Sequence, residues 1–144
     1  MEELYAELLL WYIGFHSLDR YNSLLDEKFV SDSKNETLLD LEGYSSNLLD
    51  SMGRFKRYWD YECSEFDKDA FGKQLFKSLK VTYDANEYEL SEFGNCCCRL
   101  WHMLPESIIQ TEPFHTLIYA DDPLSWGDEA QTRKLYENAF SYYA

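Results

Sequence analysis

Cys96, Cys97 and Cys98 stand side by side, His102 follows Cys98 by one helical turn, and His115 lies further along the chain. Thiolates and imidazoles are the donors of a tetrahedral zinc site. Three consecutive helical side chains point about 100° apart, however, so the cysteines cannot converge on one centre, and only Cys98 and His102 share a face. The triplet therefore reads as packed thiols, and no metal ligand or cofactor is expected. His16, His102 and His115 fit no chelating or nucleophile motif. The 27 acidic side chains are enough for any two-carboxylate hydrolysis, but with only 6 glycines and no phosphate loop nothing selects one pair. No catalytic residue is assigned, and the chain is expected not to be an enzyme.

A second cluster joins bases to aromatics: Arg54, Lys56, Arg57, Tyr58, Trp59 and Tyr61. Such interleaving suits a groove for single-stranded nucleic acid. Phe55 and Trp59 lie on a core stripe, and Asp60, Glu62 and Glu65 neutralise the patch. These bases are expected to pair internally with acidic helices.

The net charge of −14 is the dominant global feature. Residues 1–52 carry 11 acids and 3 bases, residues 53–80 carry 5 and 7, and residues 81–144 carry 11 and 3. A surface of this sign repels nucleic acid and membrane phosphates and speeds encounter with a basic partner, besides keeping a small protein dissolved. No apolar run is long enough to span a bilayer. Glu2, Glu3 and Glu7 stand where a secretory signal would carry Lys or Arg, and the clustered cysteines do not form a disulfide framework. A cytoplasmic location is expected, with no nucleic-acid or membrane partner.

The elements that must position these residues are helical. The clearest runs from Asn86 to Leu104, where Leu90, Phe93, Cys97, Leu100, Trp101 and Leu104 line one stripe. Asn86 is the expected cap, Glu89 supports it on the helix dipole, and Pro105 ends the run. Leu4, Leu8, Trp11, Phe15, Leu18, Leu25 and Phe29 predict one long N-terminal helix with room for a bend at Gly14, a restart as a second helix at Ser17 to Asp19 being the alternative, followed by a loop over Ser31 to Glu36. Thr37 answered by Asp40 is expected to cap the next helix, whose stripe is Leu38, Leu41, Leu48, Met52, Phe55 and Trp59. Gly43 and Gly53 interrupt it, and Gly53 is a place where it would divide. A short amphipathic helix carries Phe71, Leu75, Phe76 and Leu79, before a connector over Lys80 to Ala85 with Val81 and Tyr83 extended. Pro105 suits the first position of a short helix to about Gln110, Leu117 to Tyr119 read as a strand or packed loop, and Asp121, Asp122 and Pro123 mark a turn. Ser125 with Asp128 is expected to cap a last helix bearing Leu135, Tyr136, Ala139, Phe140 and Tyr143. The expectation is an all-α bundle of about five to six helices in one domain over 1–144, with an irregular segment near 105–124.

An interaction surface fits this composition best. Asp84, Glu87 and Glu92 near the start of the central helix and Asp121, Asp122, Asp128 and Glu129 around the last turn supply carboxylates, with Tyr88, Tyr119 and Trp126 as aromatic anchors. In length, acidity and aromatic richness, with CCCRLW at Cys96 to Trp101 beside DDPLSW at Asp121 to Trp126, the chain resembles the small acidic immunity proteins of bacterial toxin–immunity systems, those of contact-dependent growth inhibition among them. That resemblance implies a cognate toxin domain as partner, a basic nuclease being the expected kind, neutralised by carboxylates set against its cationic cleft or a surface it needs. It carries over no individual residue. A DNA-mimic inhibitor, with charges spaced like phosphates, and a regulatory or scaffold helical module, with an exposed apolar groove, are the alternatives.

Overall fold

The structure, a computed structural model, describes residues 1–63 and 65–144. It is all-α, with no strand among the described residues. The helices gather into two compact units, Met1–Asp67 and Lys68–Ala144. They are more numerous and shorter than the five to six expected, because several long apolar stripes are cut by turns.

In the first unit, α1 (Glu2–Tyr12) is enclosed beyond its first acidic residues, and Leu4, Tyr5, Ala6, Leu8, Leu9 and Leu10 are all buried. Its one buried acid, Glu7, is met by His16, whose Nδ1 lies 2.8 Å from Glu7 Oε2, and by Arg20 at 3.8 Å. That contact requires the chain to double back. Gly14 lets it do so with φ 88°, a left-handed conformation that a Cβ disfavours, so the expected continuous helix is two helices. Ser17 then accepts the Arg20 N–H and opens α2 (Leu18–Ser31).

The loop from Ser31 ends where Asn35, not Thr37, caps α3 (Glu36–Gly43) by accepting the Leu38 N–H at 3.2 Å. Division of the next stripe falls after Gly43 rather than at Gly53, since Asn47 starts α4 (Leu48–Arg57) by accepting the Asp50 N–H. Thr37 is buried for a different purpose: its hydroxyl accepts from Arg54 Nη2 at 2.9 Å and donates to Glu62. Arg54 is 7% exposed, with Nε 2.8 Å from Asp40 and Nη1 3.0 Å from Glu62. Arg57 reaches Glu62 as well, at 3.3 Å, so Arg54 and Arg57 pair internally as expected, while Lys56 is exposed. Glu62 ends a π-helical turn, Tyr58–Glu62, which no periodicity announced. It carries Trp59 against Tyr5 and Phe66, at ring-centroid separations of 5.6 and 4.7 Å.

The second unit starts with α5 (Lys68–Ala85), which continues through the expected connector: Phe76, Leu79 and Tyr83 keep helical spacing, and Val81 simply faces outward. Asn86 does not cap the following helix. It adopts φ 56°, its N–H donates to Tyr83 O, and it terminates α5 instead. The next helix, α6 (Leu90–Trp101), begins after Glu89 with no side-chain cap and buries Phe93, Gly94, Cys97 and Leu100. Beyond Pro105 the backbone makes successive turns rather than the expected helix, and Trp101 Nε1 donates to Ile109 O at 2.9 Å to hold them. Two single-turn helices follow, α7 (Thr116–Tyr119), where a strand or packed loop was expected, and α8 (Asp122–Ser125). The last helix, α9 (Glu129–Ser141), buries Tyr136, Ala139 and Phe140. Phe93 meets Tyr136 edge-on at 5.1 Å, and Tyr83 meets Phe140 at 5.2 Å, which locks α5, α6 and α9 together.

Replacing Arg54 with Met leaves Thr37, Asp40 and Glu62 without their shared donor. The expected loss of unfolding free energy is about 2 kcal/mol, the order for hydrogen bonds to charged groups, read from the denaturant midpoint; an unchanged midpoint would show that the guanidinium network contributes nothing net.

Candidate functional site

Gly94 decides where the acidic turn sits. A Cβ built there would lie 2.8 Å from Asp121 Cβ and 3.2 Å from the Tyr136 hydroxyl, so the missing side chain is what lets Asp121 and α9 close on α6. Asp121 is consequently turned inward and half-buried. Its Oδ1 lies 3.7 Å from Cys98 Sγ, which can donate weakly to it.

The cysteines behave as thiols in this setting. Burial, followed by the charge of Asp121, pushes Cys98 up to about 11. Burial also raises Cys97, which is fully enclosed, well above the ordinary thiol range, and it raises Cys96. Among the described residues no three His, Cys, Asp or Glu side chains converge as a metal site. His102 is exposed at the end of α6, and His115 Nδ1 lies 3.6 Å from Glu112.

From Asp122 to Glu129 the chain forms a turn with a fixed backbone. Asp128 N–H donates to Pro123 O at 2.9 Å, Trp126 N–H donates to the same carbonyl at 3.2 Å, and the fully buried Thr132 accepts the Leu124 N–H at 3.1 Å. Asp128 caps α9 by itself, through the Gln131 N–H at 3.0 Å. Ser125, expected to share that role, donates to Asp122 O instead. On this frame Trp126 is 69% exposed, and Asp122, Asp128 and Glu129 are exposed beside it in sequence.

The other sequence candidates fall into two groups. Asp84 is exposed and paired with Lys80, and Glu87 and Glu92 are exposed. Tyr88 is half-buried at a shallow, solvent-open notch that it lines with Thr82, Tyr83, Asn86, Leu90, Phe93 and Arg133. Tyr119 stands apart from that notch, its hydroxyl donating to Glu112 Oε1 at 3.2 Å. What joins Tyr88 to the last turn is Arg133, a residue the sequence reading passed over. Its Nη2 donates to Glu129 at 2.9 Å, its Nη1 donates to the Tyr83 hydroxyl at 3.3 Å, and its guanidinium carbon is 5.9 Å from the Tyr83 ring centroid. The Glu129 pairing was readable as a four-residue helical step, but the Tyr83 contact, fifty residues away, was not.

Compared with protein-family models, curated proteins and solved structures, the chain matches none.

Two outcomes test this geometry. In Gly94→Ala the added methyl must displace Asp121, and the expected cost is about 1–3 kcal/mol of stability, as for overpacked sites, with loss of the Asp121 contact visible in the Cys98 environment by NMR. Because the Cys97 and Cys98 thiols titrate higher folded than unfolded, folding disfavours their thiolates, and stability falls as pH rises past the ordinary thiol range, for Cys98 toward its folded value of about 11. At pH 8 both should react slowly with a disulfide reagent such as DTNB and react promptly once guanidinium unfolds the chain; fast native reaction at Cys98 would contradict the burial described.

Proposed function

We propose that this chain is an inhibitory binding protein of the immunity type, which neutralises a basic toxin domain through the acidic and aromatic face of its second unit. The observation that carries the reading is Trp126, a large indole left 69% exposed on a turn whose backbone is fixed by Pro123 and Thr132. A soluble chain gains nothing for its own fold from such a group, whereas tryptophan anchors dominate binding energies at protein interfaces. Holding it on a rigid turn removes ordering cost on association. Asp122, Asp128 and Glu129, exposed close to it in sequence, and Glu87 and Glu92, exposed near the start of α6, favour approach of a positively charged surface and repel nucleic acid.

A basic nuclease domain is the partner class this surface suits, its cationic cleft receiving carboxylates where substrate phosphates would lie. Strict DNA mimicry is less well served, because Asp84 and Glu129 are each paired with a cation and Asp121 is turned inward, which interrupts any phosphate-like row. In this reading the chain holds no cofactor and performs no catalysis.

The test is association with the basic toxin domain encoded by the neighbouring reading frame, followed by stopped-flow fluorescence across a salt series. Trp126→Ala should raise Kd by about 30-fold or more, chiefly through faster dissociation. The pair Asp122→Lys and Glu129→Lys should slow association about tenfold at low salt, with the difference shrinking as salt rises. Tight binding and full inhibition of the toxin by both variants would remove this face from the proposal.

A further inference from the structure

One wall of the notch beside Tyr88 is a guanidinium, and it is the protein's own. Arg133 is hydrogen-bonded to the Tyr83 hydroxyl and to Glu129, and it leans over the Tyr83 ring, a combination of carboxylate, phenol and aromatic face that suits the flat, forked arginine head better than the compact charge of lysine. Thr82, Tyr83, Asn86, Tyr88, Leu90 and Phe93 complete a mostly polar lining, and Asp84, Glu87 and Glu92 lie in the same stretch of chain, all three exposed. Arg133 itself is half-exposed, its side chain 42% accessible, so it can leave the notch without unfolding anything.

We infer that this notch is a receptor for an arginine side chain of the basic partner, and that Arg133 is a resident competitor which the incoming arginine displaces. The inference rests on the proposed docking role and adds to it the identity of one contact and a control on its strength. On displacement Glu129 exchanges one guanidinium for another, so its carboxylate is never left unpaired. A site occupied most of the time by an internal group binds an external one more weakly by the fraction of time it stands empty. Removing the competitor should therefore strengthen binding of arginine in particular, beyond the effect of one lost positive charge.

The experiment uses the full chain and two probes, hexa-arginine and hexa-lysine peptides with blocked ends, titrated by NMR with the backbone amides of Tyr83 and Tyr88 as reporters. Arg133→Met should bind hexa-arginine about 5- to 10-fold more tightly than the unaltered protein, while hexa-lysine gains about twofold or less, the change expected from charge alone. Lys134→Met removes the same charge from the same helix and should match only that smaller effect with both peptides. Arg133→Gln, too short to fold back over Tyr83, should repeat the gain and so guards against the Met side chain filling the notch. Equal effects of Arg133→Met and Lys134→Met, or an equal gain for both peptides, would overturn the competitor role. No shift at Tyr83 and Tyr88 with any variant would overturn the receptor itself, whereas the docking proposal stands or falls separately on the toxin measurements.

Discussion

The acidic turn depends on an absence, the side chain that residue 94 does not have. With Gly94 on the buried face of α6, Asp121 and the Tyr136 hydroxyl approach a helix backbone closer than any other residue would permit. Everything C-terminal to Asp121 inherits that placement. α8 starts at the next residue, Thr132 secures the turn by receiving the Leu124 N–H, and α9 packs Tyr136 and Phe140 around Phe93. Asp121 itself is half-buried against α6, within reach of the Cys98 thiol.

The first unit uses charge differently. α1 is buried over most of its length, so Glu7, the one acid past its first turn, is enclosed and met by His16 across the break at Gly14. Arg54 likewise lies inside, where it ties α3 to the π-helical turn through Asp40, Thr37 and Glu62. Burial pushes the Glu62 carboxyl up, but the hydrogen bond and charge of Arg54, with help from Thr37 and Arg57, outweigh it and hold the group below the usual carboxylate range. Buried ion pairs of this sort add little net stability over apolar packing, yet removing one partner is costly, which makes them effective at enforcing one arrangement of short helices.

Helical stripes were legible because burial imposes a period on the chain: Phe71, Leu75, Phe76 and Leu79, and Phe93, Cys97 and Leu100, are buried as their spacing requires. Ends of helices were not. Asn86 can either open a helix with its side chain or close one with a left-handed backbone, and only the position of Tyr83 O decides between them. Gly14 posed the same ambiguity, since a glycine within an apolar stripe looks alike whether it is tolerated or ends the helix. For the candidate surface, acidity and the Trp126 anchor were readable, whereas the inward turn of Asp121 and the reach of Arg133 to Tyr83 follow from contacts between residues far apart in the chain, which no local pattern encodes.

Of the four tryptophans, Trp11, Trp59 and Trp101 are half-buried, and the indole of Trp101 is further held by Ile109 O. Trp126 alone stands largely in water. The chain thus carries an intrinsic optical reporter on its acidic turn: an exposed indole whose emission should be red-shifted and open to a neutral quencher such as acrylamide, with Asp122, Asp128 and Glu129 nearby in sequence disfavouring iodide. Covering that turn would shift the colour of the emission and silence the quencher without any label being attached.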